Sequence, residues 1–347
     1  MKNKTFIKTA ISLLLIALFL TAGVQIAIDP LFQYHMPWFG LKPVITDARY
    51  QVAGMAKTFE YDCAIIGNSM SQNFVVSDVN DVFGGNSVKL TMAGSYALDW
   101  TYLLRIVRDV HPKYILFNVS PTNLAESSKE LVHEIPEYLF DLNCVNDVYY
   151  LFNFSVLSRF TYNSIKRNIK GDYKDPNTIF MWDDGTRCSK EQALESYTRP
   201  EISNEEPDIC SYIQIIDENL DLLKSYITEM DDTQFVFFVS PYSMLYWDRE
   251  TRTNGIEKQK AGYLEMCEVL TQYENVQLYM WTDKNMLGIM SDLDNYRDSN
   301  HYSKEVNKDI LQRIKTETGL ITKDNYQEEI DKLFEYITSF DYESLFT

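Results

Sequence analysis

In Cys63-Ala64-Ile65-Ile66-Gly67-Asn68-Ser69-Met70-Ser71 an apolar run leads directly into a glycine and a polar turn. A short apolar run that ends at a glycine is typical of a strand buried on both faces. The serines that follow indicate a turn from strand into helix. The stretch therefore predicts the first strand-helix unit of an α/β fold.

Four further apolar runs have the same character, at 88–92, 114–119, 235–239 and 276–280. Helical patterns separate them, with apolar residues every three or four positions over 97–109, 209–230 and 256–273. This alternation predicts a three-layer α/β/α fold around a doubly wound, parallel, five-stranded sheet. In such sheets the chemistry lies beyond the carboxyl ends of the strands.

Residues 125–206 interrupt the alternation, because they are first rich in aromatic side chains and then polar and rich in turn residues. We predict an insertion whose aromatics pack on the core, with some of it serving as a lid. Two last helical patterns cover 303–318 and 326–338. The predicted organisation is a head and anchor at 1–30, a juxtamembrane segment at 31–59, the main domain at 60–320 and a helical tail at 321–347.

Near the N-terminus, the run from Thr9 to Ile28 contains no charged residue. As a helix this run is ~30 Å long, which matches the hydrocarbon core of a bilayer. Three lysines precede it, so the positive-inside rule predicts a cytoplasmic N-terminus and an extracytoplasmic body. A cleaved signal peptide explains the same pattern. We favour an uncleaved anchor, because the run is long and Leu20-Thr21-Ala22 is a poor cleavage site.

The charge of the chain argues against nucleic acid as a partner. Its 347 residues are 45% hydrophobic, enough for a folded core, and include 32 basic and 50 acidic residues, a net charge of −18. Residues 1–30 hold three of the lysines and one aspartate, so residues 31–347 carry 29 basic and 49 acidic groups, a net of −20. A body of that charge repels phosphate backbones.

The cysteines and the acidic loops do not predict a metal site. The five cysteines form no Cys-x-x-Cys pair, which argues against a zinc ribbon or a thioredoxin-type site. Cys63 and Cys267 lie in apolar segments and are predicted to be buried thiols, whereas a disulfide from Cys188 to Cys210 or Cys144 stays open. The acidic loop at 292–300 lacks the glycine and the distal glutamate of an EF-hand.

Ser69 is the first candidate catalytic residue. It follows the strand-to-helix turn at Gly67-Asn68, a position that lifts a hydroxyl above the edge of the sheet. The backbone N–H groups after it point into the same space, as a nucleophile and an oxyanion hole require. Because serine is also a preferred N-cap residue, a purely structural interpretation stays open.

A serine nucleophile needs a general base, and His301 is the best placed histidine. The other three lie near the membrane segment, before the third strand and in the predicted insertion, as His35, His111 and His133. Asp298, three residues before His301, is predicted to accept its Nδ1–H and leave Nε2 free to take the proton of Ser69. In a doubly wound sheet these two regions meet at one edge.

These two blocks resemble the SGNH/GDSL hydrolase superfamily, whose members carry a Gly-x-Ser block after the first strand and an Asp-x-x-His block near the C-terminus. Gly67-Asn68-Ser69 and Asp298-Ser299-Asn300-His301 match them, although Asn68 replaces the usual aspartate. With its apolar N-terminus the chain is similar to the membrane-anchored, exported branch that functions in teichoic-acid D-alanylation and polysaccharide O-acetylation. The resemblance covers 60–125 and 230–318 and implies an SGNH/flavodoxin-like fold.

The resemblance also implies three oxyanion donors. Two of them are the N–H of Ser69 and the N–H of Gly94, which matches the glycine of the second block. The third is the side chain of Asn123, and Asn118 is the next candidate for that role. The third block, usually Gly-x-Asn-Asp, is replaced here by Ser120-Pro121-Thr122-Asn123. Asn123 is therefore equally well explained as a structural turn residue.

Together these features predict an extracytoplasmic serine esterase or O-acyltransferase that acts on acyl esters of a cell-envelope glycan or polymer. Water as acceptor gives deacylation, and a glycan hydroxyl gives transfer. For transfer, the resemblance implies a membrane-bound O-acyltransferase as partner, and it implies no cofactor. The acidic body slightly favours a neutral glycan or a carrier-bound acyl donor over a bare polyphosphate.

The alternative is a catalytically inactive SGNH-like module that binds glycan or scaffolds an envelope acylation complex. That alternative predicts that Ser69 and His301 lie apart. The aromatic cluster after the fourth strand, Tyr242, Tyr246 and Trp247, fits either stacking on a sugar or ordinary loop packing.

Overall fold

The computed structural model describes residues 2–347, with side chains from residue 4 onward. The helices are α1 (Lys2–Ile28), α2 (Ala48–Thr58), α3 (Val76–Phe83), α4 (Ala97–Val110), α5 (Pro121–Leu124), α6 (Val148–Leu151), α7 (Tyr162–Lys170), α8 (Lys190–Glu195), α9 (Ile209–Glu229), α10 (Met244–Arg252), α11 (Ile256–Leu270), α12 (Lys284–Ser291), α13 (Lys304–Lys315) and α14 (Tyr326–Ser339). The strands are β1 (Cys63–Gly67), β2 (Ser87–Thr91), β3 (Tyr114–Asn118), β4 (Gln234–Phe238), β5 (Val276–Tyr279) and β6 (Leu320–Ile321). A 3₁₀ turn at Ser69–Ser71 and a π-helical segment at Val156–Thr161 complete the elements used below.

The strands form one sheet in the order β2-β1-β3-β4-β5-β6. β1 to β5 pair in parallel, and β6 runs antiparallel to β5. The predicted α/β class is confirmed, β1 to β5 are parallel as predicted, and each predicted strand lies within one residue of the observed one. The predicted number of five strands is wrong, because β6 is a two-residue edge strand without an apolar run of its own.

The order of the strands creates a switch point between β1 and β3. From β1 the chain passes through α3 to β2 on one side, and α4 then returns it across β1 to β3 on the other. Since such crossovers are right-handed, α3 and α4 lie on opposite faces of the sheet. The packing agrees, because α3 contacts α13 whereas α4 contacts α9 and α9 contacts α11. The carboxyl ends at a switch point form the usual ligand crevice.

The chain divides into two compact units. One consists of Met1–Phe59 and Ile135–Pro176, and the other of Glu60–Glu134 and Asn177–Thr347. The second unit contains the whole sheet, and the first contains α1, α2, α6 and α7. The segment predicted as an insertion, 125–206, is shared between them, with residues 135–176 in the first unit and the rest in the second.

α1 is the one helix in the described part of the chain that is long and apolar enough to cross a membrane, over Lys4–Ile28. A signal sequence near the N-terminus has the same properties. Most of α1 is exposed, but its last turn is buried within the first unit, where Asp29 accepts the hydroxyl proton of Tyr150 at 2.6 Å.

Candidate active site

The turn after β1 is stabilised without a hydrogen bond from the hydroxyl of Ser69. Gly67 has φ +142°, and a Cβ at this position would lie 2.6 Å from Ser71 Oγ, so the turn requires glycine. Asn68 then caps the 3₁₀ turn, because its Oδ1 accepts the N–H of Met70 at 3.0 Å. The interpretation of Ser69 as the N-cap is therefore wrong, since Asn68 makes that contact and leaves Ser69 Oγ available.

The serine, the histidine and the aspartate singled out in the sequence form a hydrogen-bonded row. Ser69 Oγ lies 2.8 Å from His301 Nε2. On the other side of the ring, His301 Nδ1 lies 2.8 Å from Asp298 Oδ2 and 3.0 Å from Asp298 Oδ1. The side chains of His301 and Asp298 are partly exposed, so the row is reachable from solvent. A base between a hydroxyl and a carboxylate is the geometry that activates a serine nucleophile.

The loop that carries Asp298 and His301 is held rigidly. Asp298 Oδ1 also accepts the backbone N–H groups of Asn300 and His301 at 2.9 and 2.8 Å. Burial raises the pKa of Asp298. The hydrogen bond to the His301 ring, the charge of that ring and the two backbone N–H groups lower the pKa by more, so it lies below the ordinary value. From the start of α10, Ser243 Oγ donates to the Ser299 carbonyl at 2.8 Å. Asp298 is thus kept ionised and fixed relative to the ring.

Three unpaired donors follow the carboxyl ends of β1, β2 and β3. Within residues 2–347, the N–H of Ser69, the N–H of Gly94 and the Nδ2 of Asn123 donate no hydrogen bond. Ser120 Oγ donates to Asn123 Oδ1 at 2.7 Å and so fixes this amide. Asn118 differs, because its Nδ2 donates to Ser240 Oγ at 2.8 Å and is committed there. Ser69, Gly94 and Asn123 follow neighbouring strands and each keep a donor without a partner, and their role as oxyanion donors stays a prediction.

Trp182 is a site residue that the sequence did not indicate. Its Nε1 donates to the Ser69 carbonyl at 3.2 Å, and its ring packs edge-on against that of His301, with centroids 5.4 Å apart. The Arg297 guanidinium lies 5.6 Å from the centre of the Trp182 ring. Asn73 Oδ1 holds the loop by accepting the N–H of Trp182 at 3.3 Å. Trp182 therefore contacts both the backbone of Ser69 and the ring of His301.

A buried lysine, Lys89, holds the loop that carries Trp182. Lys89 of β2 donates from Nζ to the carbonyl oxygens of Gln72 and Ile179, at 2.8 and 2.9 Å. Gln72 follows the turn with Ser69, and Ile179 precedes Trp182. Lys89 thus connects the two segments that surround the serine. Burial lowers the pKa of Lys89 to about 7.

The aromatic cluster after β4 belongs to the core. Tyr242, Tyr246 and Trp247 are all buried, so they are not available to stack on a sugar. The hydroxyls of Tyr242 and Tyr246 lie 3.2 and 2.8 Å from Ser120 Oγ and Thr122 Oγ1. The cluster therefore supports the turn that carries Asn123.

All five cysteines are free thiols, with Cys63 and Cys267 buried as predicted. In the described part of the chain, no group of three or more histidine, cysteine, aspartate or glutamate side chains is arranged to hold a metal ion.

No family model and no curated protein matches this sequence. The function of the site is therefore inferred from its own geometry.

Proposed function

We propose that this chain is a serine esterase or O-acyltransferase of the SGNH/GDSL type, with Ser69 as nucleophile, His301 as general base and Asp298 as the residue that orients the base. The observation that supports it most is the 2.8 Å separation of Ser69 Oγ and His301 Nε2, in a row completed by Asp298. Residues of two segments more than 200 positions apart meet at the edge of the sheet where ligands usually bind.

The proposed reaction passes through an acyl-enzyme. Ser69 Oγ attacks the carbonyl carbon of an ester while His301 Nε2 takes the hydroxyl proton. The oxyanion that forms is stabilised by the N–H groups of Ser69 and Gly94 and by Asn123 Nδ2. His301 then returns the proton to the leaving alcohol. Water, or a hydroxyl of a glycan, releases the acyl group in a second attack of the same kind.

The order of the strands and the N-terminal helix α1 support the proposed enzyme type and its location. The parallel strands follow the order 2-1-3-4-5, which agrees with the SGNH/flavodoxin-like topology that the resemblance implies. α1 supports attachment to a membrane, with the body proposed to lie outside the cytoplasm and to act on an acylated cell-envelope glycan or polymer. A membrane-bound O-acyltransferase is the proposed partner if the reaction is transfer.

The alternative of a catalytically inactive glycan-binding or scaffolding module has less support. It predicts separated Ser69 and His301 side chains, and these two lie at hydrogen-bond distance. The unpaired donors of Ser69, Gly94 and Asn123, which follow three neighbouring strands, also favour chemistry over binding alone.

Labelling with a fluorophosphonate probe tests the proposal, because the probe reacts covalently only with an activated serine. We expect the full chain in detergent to be labelled and the Ser69→Ala variant to be unlabelled. Ser71→Ala is the matched control, since Ser71 lies in the same turn but its Oγ donates to the Ile66 carbonyl. A folded wild-type chain that remains unlabelled, or a Ser69→Ala variant labelled like the wild type, contradicts the assignment.

A further inference from the structure

One face of a helix in the first unit exposes aromatic and basic side chains together. The helix begins at Phe154, runs through the π-helical segment and continues as α7. Phe154 is 80% exposed, Tyr162 is 62% exposed and Ile169 is 82% exposed. Lys166 lies 5.9 Å from the centre of the Tyr162 ring. We name this face, which also includes two further exposed basic residues, the α7 surface: Phe154, Arg159, Tyr162, Lys166, Ile169 and Lys170.

The inward side of α7 is polar at Ser164 and Asn168, whereas the π-helical segment before it buries Val156 and Phe160. Ser164 is buried, and Asn168 Nδ2 donates to the Lys42 carbonyl at 3.0 Å while Asn168 Oδ1 accepts the Lys42 N–H at 2.7 Å. A surface helix in water normally buries its apolar side and exposes its polar side. α7 departs from this pattern, because Tyr162 and Ile169 are exposed beside the lysines of the same face, and large exposed apolar side chains mark a contact surface.

The α7 surface is tied to the end of the apolar helix. Gln25 Nε2 donates to the Tyr150 carbonyl at 3.4 Å, and Gln25 Oε1 accepts the hydroxyl proton of Thr161. Gln25 lies three residues before the end of α1, about 5 Å along the helix axis. When α1 spans a bilayer, the chain between Tyr150 and Thr161, which includes Phe154, therefore lies at the level of the lipid headgroups.

The charge of this segment suits anionic lipid. Residues 154–171 contain four basic and no acidic residues, although residues 31–347 together carry a net charge of −20. Arg159 pairs with Asp47 and Arg167 with Asp172, so Lys166 and Lys170 are the cations that face outward. Basic side chains beside a membrane are attracted to anionic headgroups, and aromatic rings prefer the interface. A helix with both on one face has the pattern of an interfacial helix.

We propose that the α7 surface binds the anionic headgroup layer of the bilayer that α1 enters, which gives the first unit a second attachment to the membrane. The apolar side chains of Phe154, Tyr162 and Ile169 enter the interface, and Lys166 and Lys170 contact lipid phosphates. Arg159 is paired with Asp47 at 3.3 Å and borders this contact. This inference does not depend on the proposed chemistry, because no residue of the α7 surface belongs to the catalytic row.

The full chain, reconstituted into vesicles that contain shallow nitroxide-labelled lipids, tests the proposal. The exposed or partly exposed cysteines, Cys144, Cys188 and Cys210, are first replaced by serine. A single cysteine with an environment-sensitive fluorophore is then placed at Phe154, at Ile169 or, as a control, at Ile202, which is 68% exposed in the second unit. We expect the nitroxide to quench the first two positions several-fold more than the control.

The charge dependence is tested by lipid composition and by charge reversal. Quenching at Phe154 and Ile169 is expected to increase when phosphatidylglycerol is added to phosphatidylcholine vesicles. The pair Lys166→Glu and Lys170→Glu removes this increase, whereas the control pair Lys308→Glu and Lys323→Glu, both in the second unit, keeps it.

Two results overturn the proposal. Quenching at Phe154 or Ile169 no greater than at Ile202 means that the surface faces solvent or a protein partner rather than lipid. Quenching that ignores both phosphatidylglycerol and the reversal of Lys166 and Lys170 means that anionic headgroups are not recognised. Circular dichroism of each variant, compared with the unsubstituted chain, verifies that these results come from folded protein.

Discussion

Asp298 does not meet the substrate in the proposed reaction, yet it fixes the base. Its carboxylate accepts the Nδ1–H and the backbone N–H of His301. Burial raises the pKa of Asp298, but the contacts with His301 and Asn300 lower it more. A lowered folded-state pKa means that the stability from this carboxylate is complete above the ordinary carboxyl pKa and is lost only as the pH falls through the lowered value. The row is therefore intact at neutral pH.

Asp298→Asn is expected to slow fluorophosphonate labelling of Ser69 by about 10²–10⁴-fold while the chain stays folded. The amide has nearly the same shape but no charge, so the imidazole is no longer held in the tautomer that leaves Nε2 as acceptor. The measurement is the rate of labelling at pH 7. Asp324→Asn, on an exposed turn, is the matched control and should label at the wild-type rate. Equal rates for the two variants would show that Asp298 does not orient a base.

At this scale the sequence indicated Ser69, Asp298 and His301 because each lies in a short block with a chemical meaning of its own. Trp182 has no such block. Its contact with Ser69 joins a side chain to a backbone carbonyl across 113 positions of the chain, and no local spacing records that. Likewise Asn68 was visible only as a departure from a pattern, and its capping hydrogen bond to Met70 depends on the dihedral angles of the turn.

Among the elements, β2 is unusual because it contains a buried lysine, Lys89. The side chain is buried and donates to two carbonyl oxygens, one after the turn with Ser69 and one before Trp182. Burial lowers the pKa of Lys89 to about 7, whereas an unfolded lysine titrates near 10.4. Between these two values the unfolded chain binds more protons than the folded chain, so stability increases with pH in that window.

Lys89→Met should remove this pH dependence. The difference in free energy of unfolding, wild type minus variant, is expected to rise from pH 7 to pH 10 by at most about 1.4 kcal/mol per pH unit. Urea unfolding of the full chain in detergent, followed by tryptophan fluorescence, measures it. Lys323→Met is the control, because Lys323 is exposed and its difference curve should be flat. A flat curve for Lys89→Met as well would mean that Lys89 keeps an ordinary pKa.

The elements that the sequence predicted well are those with one clear pattern. β1 to β5 are nearly continuous apolar runs, and α4, α9 and α11 each have an apolar stripe. α10 was missed because Met244, Leu245, Tyr246, Trp247 and Asp248 are all buried, so the first half of the helix shows no alternation of buried and exposed sides. α7 was missed for the opposite reason, since two of its three apolar residues, Tyr162 and Ile169, are exposed.

Over the whole molecule, charge is distributed unevenly between the two ends of α1. Lys2, Lys4 and Lys8 precede or begin the apolar run, and residues 31–347 carry a net charge of −20. The lysines oppose transfer across the membrane, whereas acidic residues affect orientation little. The proposed activity requires the second unit to lie on the side of the membrane where envelope glycans are found. The positive-inside rule predicts the same orientation.

A membrane-impermeant maleimide applied to intact cells tests this topology, with Cys144, Cys188 and Cys210 as native targets. We expect a wild-type chain that remains in the membrane fraction at its full mass of 40.5 kDa to be labelled in intact cells. A variant with those three cysteines replaced by serine and Thr5→Cys added should be labelled only after the cells are opened, because Thr5 lies among the lysines at the start of α1. The same triple variant without Thr5→Cys is the control for the buried Cys63 and Cys267 and should remain unlabelled. Labelling of Thr5→Cys in intact cells contradicts the orientation, and a shortened chain released from the membrane contradicts the anchor in favour of a cleaved signal.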